Sequence, residues 1–192
     1  MIPFQRIFYL VILLLALVIG SAQAQSSGWV KASHLKAELV SEYQDLTPGQ
    51  TVKLALHFIP DQHWHTYWQN PGDSGLATNI EWTLPEGVVA GAIRWPAPMA
   101  ISVPPLMNYG FEGPTILVTE LKVPTDFKSS ELNIKAKVDW LVCKEVCIPA
   151  DAQFELNLPV TQVAVQAGDY KNLFELASQK QPKPVQLQGQ LK

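Results

Sequence analysis

Apolar and polar side chains alternate along most of this chain with a period of two residues. Successive side chains of an extended strand point to opposite faces, so each alternating run predicts a strand with one buried face. The predicted inward residues are Leu35, Ala37 and Leu39; Val52, Leu54, Leu56 and Phe58; Leu132, Ile134, Ala136, Val138 and Trp140; and Phe154, Leu156, Leu158 and Val160. The intervening residues, such as Glu38 and Lys135, are predicted to face solvent.

Residues 115–123 predict a further strand. Turn signals rich in Pro and Gly separate the strands, which favours an all-β antiparallel sandwich.

The composition excludes several classes of protein. Of the 192 residues, 16% are charged and 47% are hydrophobic, with 15 Pro and 11 Gly. Sparse charge and scattered Pro exclude a disordered acidic chain, a coiled coil and a collagen-like repeat. The formal net charge of −3, without a basic run, argues against a nucleic-acid partner. We find no nucleophile elbow, phosphate-binding Gly loop or zinc-helix motif.

Residues 1–24 have the pattern of a secretory signal peptide. Arg6 supplies a positive charge, residues 8–19 are apolar, and Ser21-Ala22-Gln23-Ala24 supplies small residues for cleavage. The apolar run is shorter than the ~20 residues that cross a bilayer, so we expect cleavage after Ala24 rather than a retained anchor. The chain is therefore expected outside the cytoplasm, where disulfides persist, with no direct membrane insertion after cleavage.

The remaining sequence divides into a sandwich domain and a C-terminal extension. Residues 25–165 contain the strand patterns, and within them residues 59–113 are rich in Trp, Pro and Gly, which predicts long ordered loops at one end. In residues 166–192, Asp169 is expected to cap a short helix, followed by a polar tail or linker. One face of that helix is predicted to carry Tyr170, Leu173, Phe174 and Ala177.

The two cysteines, Cys143 and Cys147, are the strongest candidates for chemistry. Two nearby cysteines in an exported protein indicate a disulfide. Four steps along an extended strand span roughly 13 Å, whereas a disulfide joins Cα atoms about 4.4–6.8 Å apart, so the strand that ends near Val142 must turn before Cys147. Closing so short a loop contributes only about 2 kcal/mol through chain entropy. A tight bond in a turn is also more readily reduced than a long-range staple.

From the residues alone, three roles for this pair stay open: a redox-active disulfide, a structural disulfide and metal ligation. Lys144 favours a Cys143 thiolate and Glu145 opposes it, so the local charges do not decide reactivity. Two thiolates are soft ligands suited to Cu(I), and a histidine from His63-Trp64-His65 would complete such a site. The simpler role for these two histidines is aromatic packing and surface hydrogen bonding.

Several segments of the sequence resemble one protein family. They are residues 64–75 (WHTYWQNPGDSG), 80–87 (IEWTLPEG), 95–98 (WPAP), 109–113 (YGFEG) and 139–149, which contain both cysteines. In order and content they are similar to the N-terminal periplasmic domain of the bacterial disulfide reductase DsbD, and more closely to its branch called suppressor of copper sensitivity protein B (ScsB). The resemblance implies a periplasmic, immunoglobulin-like sandwich with a redox-active cysteine pair near one end.

The resemblance also implies an activity. Such domains take reducing equivalents from a membrane-embedded or thioredoxin-like donor and pass them to periplasmic proteins, often thioredoxin-like, by thiol–disulfide exchange. By position, Cys143 and Cys147 match the redox pair, with Cys147 forming the mixed disulfide and Cys143 resolving it. We therefore expect a protein-disulfide reductase component without a cofactor. The alternatives are a copper-tolerance protein that binds Cu(I) through Cys143, Cys147 and His65, or an interaction module with a structural disulfide.

A cap loop covers the cysteines in this family, and Tyr109-Gly110 resembles its Tyr-Gly pair. The aromatic residue that precedes this pair in the DsbD branch is replaced here by Asn108. The predicted cap therefore comprises Met107, Asn108, Tyr109 and Phe111, with Met107 or Phe111 as the shield. The cysteines also lie closer together than in the DsbD branch, so a different turn is expected. Such domains are usually fused to a multi-helix membrane segment and a thioredoxin-like domain; here we expect a separate electron donor or a larger protein.

Overall fold

The computed structural model describes residues 25–163 and 168–183, and the predicted signal peptide lies outside the described residues. These residues form eleven strands and one helix. Within the two ranges, no helix has the length and apolarity needed to cross a membrane. The elements are β1 (Val30–Ala32), β2 (Leu35–Ser41), β3 (Thr51–Pro60), β4 (His65–Gly72), β5 (Asn79–Thr83), β6 (Val89–Ala90), β7 (Met99–Val103), β8 (Leu106–Glu112), β9 (Thr115–Lys122), β10 (Glu131–Cys143), β11 (Cys147–Pro159) and α1 (Lys171–Lys180).

The strands form two sheets that share one apolar core. The first sheet has the strand order β1-β2-β3-β9-β6, and the second has the order β11-β10-β4-β8-β7, with β5 also paired to β10. Every pairing between these strands is antiparallel. The predicted all-β antiparallel sandwich is therefore confirmed.

The predicted inward residues form the core between the two sheets. All of them are buried except Val160, which packs against the core at its margin. Phe58 from the first sheet and Trp140 from the second pack with their ring centroids 5.3 Å apart. Burial of side chains of this size stabilises the fold by about 1.5–3 kcal/mol each, so the alternating faces are the main source of stability.

The outer face of the first sheet is covered by the C-terminal helix. Glu38, predicted to face solvent, is only 3% exposed. It accepts hydrogen bonds from Ser26 Oγ (2.9 Å) and from the Tyr170 hydroxyl (3.4 Å). The prediction for Glu38 was wrong because alternation along β2 assigns a residue to a face, but a distant segment decides whether that face is wet. A second apolar cluster joins the helix to the sheet and contains Val40, Ala55, Ile116, Val118, Phe174 and Ala177.

The helix forms with the predicted buried face but starts differently. Phe174 and Ala177 are buried, with Tyr170 and Leu173 packed beside them. The N-cap is Tyr170, without a side-chain hydrogen bond, so the cap predicted at Asp169 was wrong. The backbone N–H of Asp169 donates instead to Gln25 Oε1 at 2.9 Å, because this part of the chain is tied to the N-terminal segment before the helix begins.

Residues 59–113 are more regular than their composition predicts. They contain β4 to β8, and three of their tryptophans, Trp64, Trp82 and Trp95, pack against the main core. The loops that remain among them are short segments between these strands. Burial along β4 and β8 does not alternate strictly, and β6 has only two residues, which explains why the sequence predicted loops here.

We expect Phe174→Ala to lower the free energy of unfolding by about 3 kcal/mol, because it empties a buried aromatic site between α1 and the first sheet. Leu176→Ala is the matched control, since Leu176 is 43% exposed on the same helix, and its effect should be about 0.5 kcal/mol or less. Urea unfolding followed by circular dichroism measures both. Equal effects would contradict the docking of α1 on the sheet.

Candidate functional site

Strands β10 and β11 form a hairpin whose last residue pair is Cys143 and Cys147. The two cysteines are bonded, with an S–S distance of 2.03 Å and Cα atoms 4.1 Å apart. Residues 144–146 make the turn between the strands. The predicted disulfide and the predicted turn are confirmed. Because the turn is the tip of a β-hairpin, the pairing register sets the two cysteines directly opposite each other.

The two cysteines differ sharply in exposure. Cys143 is 1% exposed, whereas Cys147 is exposed to solvent together with the turn. Their neighbours explain the difference: β10 has partner strands on both sides, and Cys143 is paired with Cys147 and with His65 of β4, whereas β11 is an edge strand. A thiolate from another protein can therefore reach Cys147 but not Cys143.

The disulfide lies on the outer face of the second sheet. Cys143 is in register with His65 on β4, and His65 is in register with Glu112 on β8. Directly paired residues of antiparallel strands project to the same face. Val142, the neighbour of Cys143, points into the core, so the row of Cys143, His65 and Glu112 points outward. The same face of β4 carries Tyr67, two residues after His65.

Tyr67 is the side chain that meets the exposed sulfur. Its hydroxyl lies 3.5 Å from Cys147 Sγ and 3.4 Å from His65 Nε2. Tyr67 is 2% exposed and His65 is 3% exposed. Burial lowers the pKa of His65, an effect that the Glu112 carboxylate partly opposes. Burial also raises the pKa of Tyr67, so both side chains are neutral at neutral pH and form a buried polar path to the sulfur.

One glycine lets β8 approach β4 closely beside Tyr67, and a second makes room for the Tyr67 ring. Gly110 is its partner on β8, and a Cβ at Gly110 would collide with the carbonyl oxygen of Thr66. Gly75 has a φ of +99° and lies against the ring, so a Cβ there would collide with the aromatic carbons. Only glycine permits both the close approach and the left-handed backbone. The turn that contains Gly75 therefore acts as a cover over Tyr67.

The predicted cap residues all lie on β8, next to β4. Asn108 is 2% exposed, and its Oδ1 accepts hydrogen bonds from the backbone N–H and the hydroxyl of Ser74, both at 3.0 Å. Asn108 thereby holds the turn that covers the tyrosine. Phe111 is 8% exposed, whereas Met107 and Tyr109 are 40% and 41% exposed.

The sequence prediction did not single out Tyr67, although the segment 64–75 contains it. Its position two residues after His65 was the available signal, because a spacing of two puts both side chains on one face of a strand.

Met107, Tyr109 and Phe111 occupy alternate positions on β8 and project away from the face that carries Glu112. Their role as a shield stays a prediction.

Among the histidines, the structure brings His65 to the cysteines. His63 is exposed at a φ of 69°, and Trp64 stacks on His34 with ring centroids 3.8 Å apart. Cys143 is paired with His65, but both cysteines are committed to the disulfide. In the part of the chain that the structure describes, no group of three or more His, Cys, Asp or Glu residues has a geometry suited to a metal ion.

Comparison with known proteins agrees with this arrangement. The chain is similar to the crystal structure of the N-terminal periplasmic domain of ScsB from Proteus mirabilis, with 26% sequence identity and a TM-score of 0.63 over 82% of this chain. It spans 60% of the length of that ScsB chain. The structure of a yeast GGA1 GAE domain also matches, with 12% sequence identity and a TM-score of 0.35. The match covers 69% of this chain and 98% of the GAE chain, but the similarity is too low to support any argument. Among curated proteins, none matches the sequence.

The family assignment rests on a match to a family model. Residues 34–159 match the family model described as "Thiol:disulfide interchange protein DsbD, N-terminal". The matched range contains every strand from β2 to β11 and both cysteines. The resemblance seen in the sequence is confirmed, and with it the immunoglobulin-like form of the sandwich. This chain belongs to the family of DsbD N-terminal domains.

Proposed function

We propose that this protein carries out thiol–disulfide exchange in the periplasm through Cys143 and Cys147, as a component of a protein-disulfide reductase. The observation that carries the proposal is the unequal exposure of the two bonded cysteines: Cys147 is exposed at the hairpin tip and Cys143, opposite it, is buried. Exchange needs one sulfur that a partner can reach and a second that stays within the protein to resolve the mixed disulfide. Membership in the DsbD family supports the same activity.

On this proposal, each cysteine takes a separate step. In the reducing direction, the Cys147 thiolate attacks a partner disulfide, an S–S bond forms between the proteins, and the other partner sulfur leaves as a thiolate. The Cys143 thiolate then attacks Cys147, the intramolecular bond forms, and the second partner sulfur leaves. Two electrons have passed to the partner. In recharging, a donor thiolate attacks Cys147 and Cys143 is the first leaving group.

The proposed partners are thioredoxin-like periplasmic proteins as acceptors and a membrane-embedded protein as the electron donor. Support comes from the family and from the similarity to ScsB, whose N-terminal domain is periplasmic. The site suits docking with another protein, because Cys147 sits beside a projecting turn in which Val146 is 61% exposed. An exposed apolar side chain next to a reactive sulfur offers contact area to a partner.

We expect Cys143→Ala to form mixed disulfides with thioredoxin-like proteins in periplasmic extract, because the exposed Cys147 remains. In Cys147→Ala the remaining thiol, Cys143, is buried and reacts only after local opening. Its reaction with an oxidised thioredoxin should therefore be at least about tenfold slower than the reaction of Cys143→Ala. Non-reducing electrophoresis and mass spectrometry identify the complexes, and the double variant controls for background. Equal rates for the single variants would contradict the assigned roles.

The wild-type disulfide should equilibrate with glutathione or thioredoxin, at a reduction potential above about −300 mV. Alkylation of free thiols in redox buffers, read by mass spectrometry, measures this potential. A pair that stays oxidised in all these buffers would identify a structural disulfide and an interaction module, and the exchange proposal would be abandoned.

A second candidate function is Cu(I) binding by the reduced pair, favoured by the register that places His65 directly opposite Cys143. Two thiolates and an imidazole are ligands that suit Cu(I). On this hypothesis, anaerobic titration of the reduced protein gives 1:1 binding that is weakened in His65→Gln and lost in Cys143→Ser, Cys147→Ser. His63→Asn is the matched control, because His63 is exposed and Asn tolerates its positive φ. Tight binding without exchange activity would favour copper handling over electron transfer.

A further inference from the structure

The backbone of β11 at Cys147 is turned toward the open edge of the second sheet. In an antiparallel pair, residues that exchange backbone hydrogen bonds alternate with residues whose N–H and C=O point away from the partner strand. At the far end of the hairpin, the N–H of Val160 donates to the carbonyl of Ser130, its direct neighbour across the ladder, at 2.8 Å. The register from that end to the tip is unbroken. Alternation along it places Cys147 among the residues that point away from β10.

Three further observations agree with this alternation. The Cα atoms of Cys143 and Cys147 are 4.1 Å apart, which fits the ~4.5 Å of a pair without hydrogen bonds. Pro149 and Pro159, which have no N–H to donate, occupy positions of the same kind as Cys147. The carbonyl of Pro159 accepts a hydrogen bond at 3.0 Å from the N–H of Leu46, a residue outside the hairpin. These alternate residues of β11 therefore direct their backbone groups to the edge.

The edge is open beside the disulfide. β11 is the last strand of its sheet, and Leu46 covers it only at the far end. Within residues 25–163 and 168–183, no hydrogen bond reaches the backbone of Cys147 or Asp151 from the edge side. Cys147, Pro149 and Asp151 are all exposed. An edge strand with free donors and acceptors is a template for pairing with another chain, and here that template adjoins the accessible cysteine.

We propose that an extended segment of the exchange partner pairs with this edge, antiparallel to β11, and brings its reactive sulfur level with Cys147. This inference rests on the proposed exchange function and names the surface that the partner uses. Cys147 exchanges two backbone hydrogen bonds with the segment, Pro149 accepts one and donates none, and Asp151 exchanges two more. The missing donor at Pro149 weakens the ladder, which suits a partner that leaves after exchange.

The charge beside this edge defines the partner further. Asp151 is in register with Asp139, so two like charges lie opposite each other, which is unfavourable. Lys137 lies 3.9 Å from Asp139, whereas no ion pair reaches Asp151 from the described part of the chain. A basic side chain on the partner relieves this repulsion. In antiparallel pairing it stands four positions before the residue opposite Cys147.

The spacing of such a pairing suits disulfide exchange. Residues that exchange backbone hydrogen bonds across antiparallel strands have Cα atoms ~5.5 Å apart, and a disulfide joins Cα atoms about 4.4–6.8 Å apart. A cysteine opposite Cys147 can therefore form the mixed disulfide without movement of either backbone. In a peptide probe with such a cysteine bonded to 2-thiopyridine, the Cys147 thiolate attacks the cysteine sulfur. The new S–S bond forms, and the thiopyridine leaves with the electron pair of the broken bond and takes a proton.

The test uses the full chain in a Cys143→Ala background, where Cys147 is the single thiol. The probe is the peptide Lys-Val-Thr-Val-Cys with blocked ends and its cysteine bonded to 2-thiopyridine. N-methylation of the threonine removes the N–H that donates to the Pro149 carbonyl, and we expect the second-order rate constant to fall at least about fivefold. N-methylation of the valine before it removes an N–H that points away, and the expected change is less than about twofold. The absorbance of released thiopyridone measures both.

The charged contact is tested with the same peptide at about 0.1 M salt. Asp151→Asn should slow the lysine peptide about threefold and leave a peptide with glutamine in place of lysine unchanged. Glu155→Gln is the matched control, because Glu155 is exposed on the same face of β11 but lies beyond the segment. Dithiodipyridine, which offers no backbone to pair, should react equally with all three proteins.

The outcomes separate docking from exchange. Equal rates for the two N-methylated peptides would overturn pairing at this edge, while exchange by the wild-type protein stands. Equal effects of Asp151→Asn and Glu155→Gln would overturn the basic residue assigned to the partner. Self-association of the wild-type protein that the lysine peptide disrupts, seen by sedimentation, would give the edge to a second copy of this chain and overturn the proposal. Failure of the reduced wild-type protein to react with oxidised thioredoxin would overturn the exchange function itself.

Discussion

The register of the β10–β11 hairpin is the constraint on which the rest of the site depends. It places Trp140 and Val142 in the core and Cys143 on the outer face, opposite Cys147. A slip of one residue would exchange the two faces and separate the cysteines. Each large core side chain contributes about 1.5–3 kcal/mol, against about 2 kcal/mol for closure of so short a disulfide loop. Packing of the core therefore contributes more than the disulfide to holding the hairpin in this register.

A hairpin whose register is held mainly by core packing suits a disulfide bond that opens and closes. Neither cysteine belongs to the two apolar clusters, so reduction of the disulfide leaves the contacts within those clusters in place. The strand order explains why the sulfurs are unequal. β10 is flanked on both sides and shields Cys143, whereas β11 is an edge strand and leaves Cys147 open. The Tyr67 hydroxyl lies 3.5 Å from Cys147 Sγ, and Gly75 leaves room for the tyrosine ring. Cys147 is thus accessible because of the edge position of β11, whereas its hydrogen-bonding partner Tyr67 comes from β4.

Sequence patterns predicted the fold where the pattern is local. The runs that begin at Leu35, Val52, Leu132 and Phe154 form strands with the expected faces, and the helix face with Phe174 is buried as expected. The failures share one cause. Glu38 is buried because a helix from the far end of the chain covers its face. Residues 59–113 contain strands such as β4 and β8, whose burial does not alternate strictly because neighbouring segments cover both faces in part. In each case, contacts distant in sequence decided the outcome.

The amino-acid sequence by itself determined the alternating strands, because these depend on neighbouring residues and a period of two. It also predicted a turn and a disulfide at Cys143 and Cys147, with metal ligation left open, and the structure shows the bond. The tertiary structure alone decided which cysteine faces solvent and which side chain meets it. Tyr67 and Cys147 are 80 residues apart in sequence. Their contact exists because β4 pairs with β10 at His65 and Cys143, and because Gly75 lets the neighbouring turn close over the tyrosine ring. Periodicity assigns a side chain to a face of its strand, but only the packing of strands assigns its neighbours.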